Sequence, residues 1–106
     1  MIETSVATFK QDVLECSQPV IVDFWSPHCI PCKLTNPQFA KAAEALPNVR
    51  FVKCNVDDCL EIAQEYGIKS IPSLVLFQHG KAEAIMKGMH FKRTIIKFCN
   101  YNIDAS

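Results

Sequence analysis

Cys29 and Cys32, in the run Cys29-Ile30-Pro31-Cys32, are the residues of this 106-residue chain whose type and spacing suit chemistry. With two residues between them at the head of a helix, two sulfurs lie within disulfide reach, so they can close on each other and hand over two electrons. The nucleophile in such exchange is the thiolate. A helix N-terminus favours it, because unpaired N–H groups and the positive end of the dipole face the sulfur. Cys29 is thus the candidate nucleophile, and Cys32, one turn on and facing inward, the resolving thiol. Pro31 has no N–H to lose in a first turn and stiffens the link between the sulfurs. The competing uses of such a pair are a purely structural pair or half of a zinc site, which wants four tetrahedral ligands. The nearest extra ligands are His28, which directly adjoins Cys29, and Cys59, which has no second C-x-x-C partner. Haem attachment fails because Lys33, not His, follows Cys32.

The elements that must hold this pair are readable on either side. Residues 20–25 are β-branched and aromatic on both faces, the pattern of a central parallel strand, and Asp23 stands alone among apolar neighbours there. A helix is expected from near Cys32 through Leu34, Phe39, Ala42 and Leu46, bent at Pro37 and stopped by Pro47. Residues 51–56 form a second strand, and Asp57 or Asp58 caps a short helix that Gly67 ends. Residues 73–78 and 82–87 flank a loop of His79, Gly80 and Lys81, which predicts an antiparallel hairpin and hence a mixed sheet. In the tail, Phe91, Ile95, Phe98, Cys99 and Ile103 share a helical face. Phe9, Val13 and Leu14 suggest an N-terminal helix ending before Pro19. The alternation predicts an α/β layered domain spanning residues 1–106.

Beyond the pair, Trp25, the prolines and the two late glycines fall into a larger pattern. The stretch Asp23-Phe24-Trp25-Ser26-Pro27-His28-Cys29-Ile30-Pro31-Cys32-Lys33 resembles the active-site segment of the thioredoxin family. Pro37 resembles the family's kinking proline, and Lys53 lies in a K-x-N-x-D pattern like that on its next strand. Gly67-Ile68-Lys69-Ser70-Ile71-Pro72-Ser73 resembles the loop that bears its cis-proline, and Gly80 and Gly88 fall at matching places. The resemblance implies the thioredoxin fold, a central mixed β-sheet flanked by helices on both faces. It implies protein-disulfide reduction, in which Cys29 attacks a substrate disulfide and Cys32 attacks Cys29 to release the reduced substrate; the alternative is a non-catalytic binding module of the same fold that keeps the cysteines. Asp23, its carboxyl pKa raised by burial, assists deprotonation of Cys32, with Lys53 as its modulator. Pro72, in the cis form, places its loop against the sulfurs and leaves the Ile71 backbone free for an extended substrate, with Trp25 and Ile71 supplying apolar contact. His28, Ile30, Pro31 and Gly88 complete the implied substrate-binding set. No organic cofactor or metal is expected. The implied partners are disulfide-containing proteins and a thioredoxin reductase, flavin- or ferredoxin-linked, with the chain acting as a monomeric electron carrier.

Two residues depart from the family's W-C-G-P-C: His28 precedes Cys29 and Ile30 follows it. A protonated His28 would stabilise the thiolate and add pH dependence. Ile30 puts a stiff apolar side chain beside the sulfurs. Among the six cysteines, Cys16, Cys54 and Cys99 read as small buried hydrophobes. Cys59, at the start of the second helix, is flanked by Asp57 and Asp58, which oppose a thiolate. Eleven basic residues against eleven acidic ones leave no net charge, so nucleic acid is not an expected partner. The longest apolar run, Leu74 to Phe77, has four residues, whereas a membrane span needs about 20. The opening residues lack a signal-peptide pattern, so a cytoplasmic location and no membrane partner are expected.

Overall fold

A computed structural model describes residues 1–103 of the chain; residues 104–106 of the expected domain lie outside the described residues. Strict alternation along the central strand Val20–Trp25 (β2) decides the layering. Val20, Val22 and Phe24 face one side and Ile21 the other, and all are buried. A strand apolar on both faces must be covered on both.

On the Ile21 side lie the helices Ile30–Ala45 (α1) and Lys92–Asn102 (α3), which bring Phe39, Ala42, Ile95 and Cys99 against Phe51, Leu74 and Leu76. On the other side lie the helix Leu60–Glu65 (α2) and a single wide helical turn, Lys10–Leu14, closed by a Glu15 N–H to Lys10 carbonyl bond of 2.8 Å. There Val13 and Ile62 pack with Val22, Val52 and Val75, and the Phe77 ring meets Phe9 at 5.8 Å and Tyr66 at 5.1 Å. Burying one such side chain contributes about 1.5–3 kcal/mol.

The sheet has five strands: Ile2–Glu3 (β1), β2, Arg50–Asn55 (β3), Ser73–Gln78 (β4) and Lys81–Lys87 (β5), in the order β1-β3-β2-β4-β5. β3 runs parallel to β1 and β2, whereas β4 is antiparallel to both β2 and β5, so the sheet is mixed. The register that matters most crosses three strands: Glu3 lies opposite Lys53, and Lys53 opposite Asp23. β5 closes the far border, its ladder to β4 interrupted by an irregularity between Leu76 and Phe77.

Several expectations change. β1 was not expected, and α1 begins at Ile30, two residues before Cys32. Neither Asp57 nor Asp58 caps α2; Cys59 occupies that position with no side-chain cap bond. Asp57 is taken elsewhere, because its N–H donates to Asn55 Oδ1 at 3.0 Å and its carboxylate accepts from Ser26. Phe91 stands at the N-cap of α3, outside the helical face, and is 63% exposed. Cys16 is half-buried rather than buried.

The hairpin loop is two residues, not three, since Lys81 already pairs with Gln78. His79 and Gly80 both have positive φ, 54° and 77°, which gives a turn whose twist matches the strands it joins. A Cβ on Gly80 would also meet the Leu14 carbonyl oxygen at 3.1 Å. Gly80→Ala is therefore expected to lower stability by about 1–2 kcal/mol. The urea midpoint should fall while disulfide exchange at Cys29 stays as it was.

Candidate active site

The site forms where the parallel strands β2 and β3 end and α1 begins. β2 delivers Asp23 into the layer under α1 and Trp25 to the rim, then the chain turns through residues 26–28. Ser26 fixes that turn: its hydroxyl donates to Asp57 Oδ2 at 3.0 Å and accepts the His28 N–H at 3.3 Å, while its carbonyl accepts the Cys29 N–H at 3.2 Å. His28 itself is exposed.

Cys29 sits at the N-cap of α1, with extended backbone, and its Sγ accepts the Cys32 N–H at 3.2 Å. A helix-terminal amide aimed at sulfur is the local feature that stabilises a thiolate. Cys29 and Cys32 are joined as a disulfide, their Cα atoms 5.2 Å apart. The two sulfurs are not equivalent, for Cys29 is half-buried and Cys32 is wholly inaccessible. Pro31 lies in the first turn as expected, and Ile30 is 71% exposed beside the pair.

A second loop closes over the sulfurs. The Ile71–Pro72 peptide bond is cis, and the Ile71 carbonyl oxygen lies 3.8 Å from Cys29 Sγ. Gly88, with φ 88°, holds this loop by donating its N–H to the Pro72 carbonyl at 2.9 Å. Next to Ile71 a shallow groove is lined by Val56, Leu60, Ala63 and Ile68.

The electrostatics centre on Asp23. Burial pushes its carboxyl from 3.8 up to about 7; Lys53 works against this and Glu3 with it. Lys53 Nζ also lies 3.9 Å from the centre of the Trp25 ring, and the Trp25 Nε1–H donates to Glu3 Oε2 at 3.3 Å. The Asn36 amide, oriented by the two acceptors it faces, donates from Nδ2 to Asp23 Oδ2 at 2.8 Å and to the Cys32 carbonyl at 3.2 Å. Neither Glu3 nor Asn36 was singled out from the sequence. Asn36 had a signal: it stands four residues after Cys32 and so shares its helix face. Glu3 had none, since its strand is two residues long.

The remaining cysteines, Cys16, Cys54, Cys59 and Cys99, are free thiols. Burial raises the Cys54 thiol far above its ordinary range, with the neighbouring Cys59 adding to the shift, and pushes Cys99 up to about 12. Cys59 is buried, its thiol 4.0 Å from the Thr4 carbonyl. Among the described residues no group of His, Cys, Asp and Glu is arranged to hold a metal ion, and no helix is long and apolar enough to cross a membrane.

The family model for thioredoxin matches residues 1–101. The chain belongs to the thioredoxin family. It is 41% identical over 99 residues to the thioredoxin of Mycoplasma genitalium, covering 92% of this chain and 97% of that one. Thioredoxin 1 of Synechococcus elongatus is 43% identical over 90 residues, covering 84% of each chain. The thioredoxin of Rickettsia bellii is 37% identical over 97 residues, covering 91% of this chain and 92% of its own. With a two-residue-spaced pair closed at the head of α1, this thioredoxin-family chain is a thiol–disulfide oxidoreductase. The family implies disulfide substrates and a reductase that reopens the pair.

Proposed function

We propose that the chain reduces protein disulfides, with Cys29 as nucleophile and Cys32 as resolving thiol. The observation that carries the assignment is their asymmetry: Cys29 is reachable and faces a helix-terminal N–H, whereas Cys32 is sealed beneath it. Cys29 thiolate attacks a substrate sulfur, forming a mixed disulfide and expelling the other substrate sulfur as a thiolate. Cys32 then gives up its proton and attacks Cys29, so the second substrate sulfur leaves as a thiolate and the Cys29–Cys32 bond closes. Two electrons pass from the dithiol to the substrate.

A thiol sealed from water needs a base inside the protein. Asp23 fills that role, because a carboxyl titrating near 7 can take and return a proton at neutral pH. Lys53 tunes it. Lys53→Met removes the charge that holds Asp23 down, and the Asp23 titration should rise by up to about one pH unit when followed by carboxyl carbon NMR. An unchanged or lower midpoint would remove Lys53 from the role.

The substrate lies as an extended segment against the Ile71 backbone, with its cysteine at Cys29 and apolar contact from Trp25, Ile30, Ile71 and the groove beyond. Pro31, Pro72 and Gly88 shape the floor of that track, and His28 faces the approaching protein. All these groups come from one chain, which supports action as a monomer. Four unpaired cysteines, Cys16, Cys54, Cys59 and Cys99, fit a reducing compartment, the cytoplasm. A separate reductase, flavin- or ferredoxin-linked, reopens the pair.

Insulin with dithiothreitol tests the whole. Catalytic amounts of the protein should shorten the lag before insulin B-chain precipitation several-fold; a lag equal to that with dithiothreitol alone would overturn the reading.

A further inference from the structure

The two oxygens of Asp23 have different surroundings. Oδ2 accepts from Asn36 Nδ2 at 2.8 Å, and the same amide nitrogen donates its other hydrogen to the Cys32 carbonyl at 3.2 Å. Oδ1 is buried with no hydrogen-bond partner among the described residues. The amide therefore ties the carboxyl to the backbone of the residue whose thiol must lose a proton. An oxygen already engaged by a donor is the poorer proton acceptor, and a donor to the charged form makes the whole group more acidic.

We propose that Asn36 is a positioning residue for the resolving step: its amide pins Asp23 Oδ2 to the Cys32 turn and leaves Oδ1 as the oxygen that receives the Cys32 proton. This rests on the reading of Asp23 as the internal base. In the step, the proton passes from Cys32 Sγ to Asp23 Oδ1, Cys32 Sγ bonds to Cys29 Sγ, and the bond from Cys29 to the substrate sulfur breaks. That sulfur leaves with the electron pair as a thiolate, and Asp23 later returns its proton to it or to solvent. The charged groups acting on Asp23 are Lys53 from β3, which opposes its protonation, and Glu3 from β1, which favours it. Asn36 adds a neutral donor from α1.

The test mixes the reduced protein with dithiobis(nitrobenzoate) in a stopped-flow instrument from pH 5 to 9. The first thionitrobenzoate released reports attack by Cys29 and the second reports closure by Cys32. Asn36→Ala keeps a good helix former in α1. It should leave the midpoint of the first phase in place and move that of the second upward by about one pH unit. The second phase is then up to about tenfold slower below its midpoint. Asn36→Asp keeps the shape but puts a second carboxyl against the first, and should move the midpoint further up. A role in packing alone predicts a lower melting temperature for Asn36→Ala and unshifted second phases in both variants; that result overturns the proposal. Asp23→Asn separates the two ideas. If it leaves the second-phase midpoint where it was, the reading of Asp23 falls. If it abolishes that midpoint while the Asn36 variants keep it, only the role of Asn36 falls.

Discussion

Cys32→Ser should accumulate mixed disulfides with substrate proteins, and Cys29→Ser should accumulate none. Both variants should lose turnover in the insulin reaction by on the order of 10³-fold or more, since neither can complete the two-sulfur cycle. They differ in where the cycle stops. Cys29 keeps its half-buried, reachable position and the backbone N–H of residue 32, 3.2 Å away in the native chain, so it still attacks when residue 32 is serine. Cys32 has no accessible surface and cannot reach a protein disulfide when residue 29 is serine. Non-reducing electrophoresis followed by mass spectrometry of the adducts reads the difference directly. Equal trapping by the two variants, or trapping by Cys29→Ser alone, would reverse the assignment.

Asp23→Asn should make the protein more stable at pH 9 by about 2–4 kcal/mol and leave its stability at pH 4 nearly unchanged. The native carboxyl holds its proton up to about 7, whereas the unfolded chain releases it near 3.8. Between those values the native state binds more protons than the unfolded state, so stability falls as pH rises through this window. Below it both states are protonated and the contribution is intact. Above it the folded protein carries a buried anion, and the shift of roughly three pH units corresponds to about 4 kcal/mol at ~1.4 kcal/mol per unit. An asparagine amide never ionises and its oxygen can still accept from Asn36, although its NH₂ meets the unpartnered side, which trims the gain. Urea unfolding of both proteins from pH 4 to 9 gives the difference curve. Parallel curves would mean that Asp23 titrates normally. With Asp23 as the proposed internal base, the same variant should also slow reduction at neutral pH, a gain in stability set against a loss in rate.

What could be read before folding follows from how local each signal is. The C-x-x-C, the doubly apolar strand before it and the helix after it lie within residues 20–45, where periodicity, proline and helix-terminal rules act over one or two turns. Those rules placed β2 at its observed bounds and α1 within two residues of its start. The misses are non-local. Two residues, Ile2 and Glu3, carry no period, and become a strand only because β3 has an open side. Asp57 looks like a cap by sequence distance, yet Ser26, 31 positions earlier, claims its carboxylate. Phe91 fits the apolar face of α3 by counting, but the helix begins one residue later and leaves the ring in water. For the same reason the row Glu3, Lys53, Asp23 was only partly visible: its members come from three strands, and register assembles them.

The borders of the sheet bear on how such a carrier keeps to itself. At one side β1 offers two residues, too few to template another chain, and at the other β5 presents Lys81, Glu83 and Lys87 as exposed charges beside an interrupted ladder. The shortness of β1 and the charges on β5 both disfavour strand addition between copies, even with Ile85 exposed on β5. A thiol–disulfide carrier works dispersed in solution, and here the features that discourage pairing between copies sit at the rims of the sheet, away from the sulfurs.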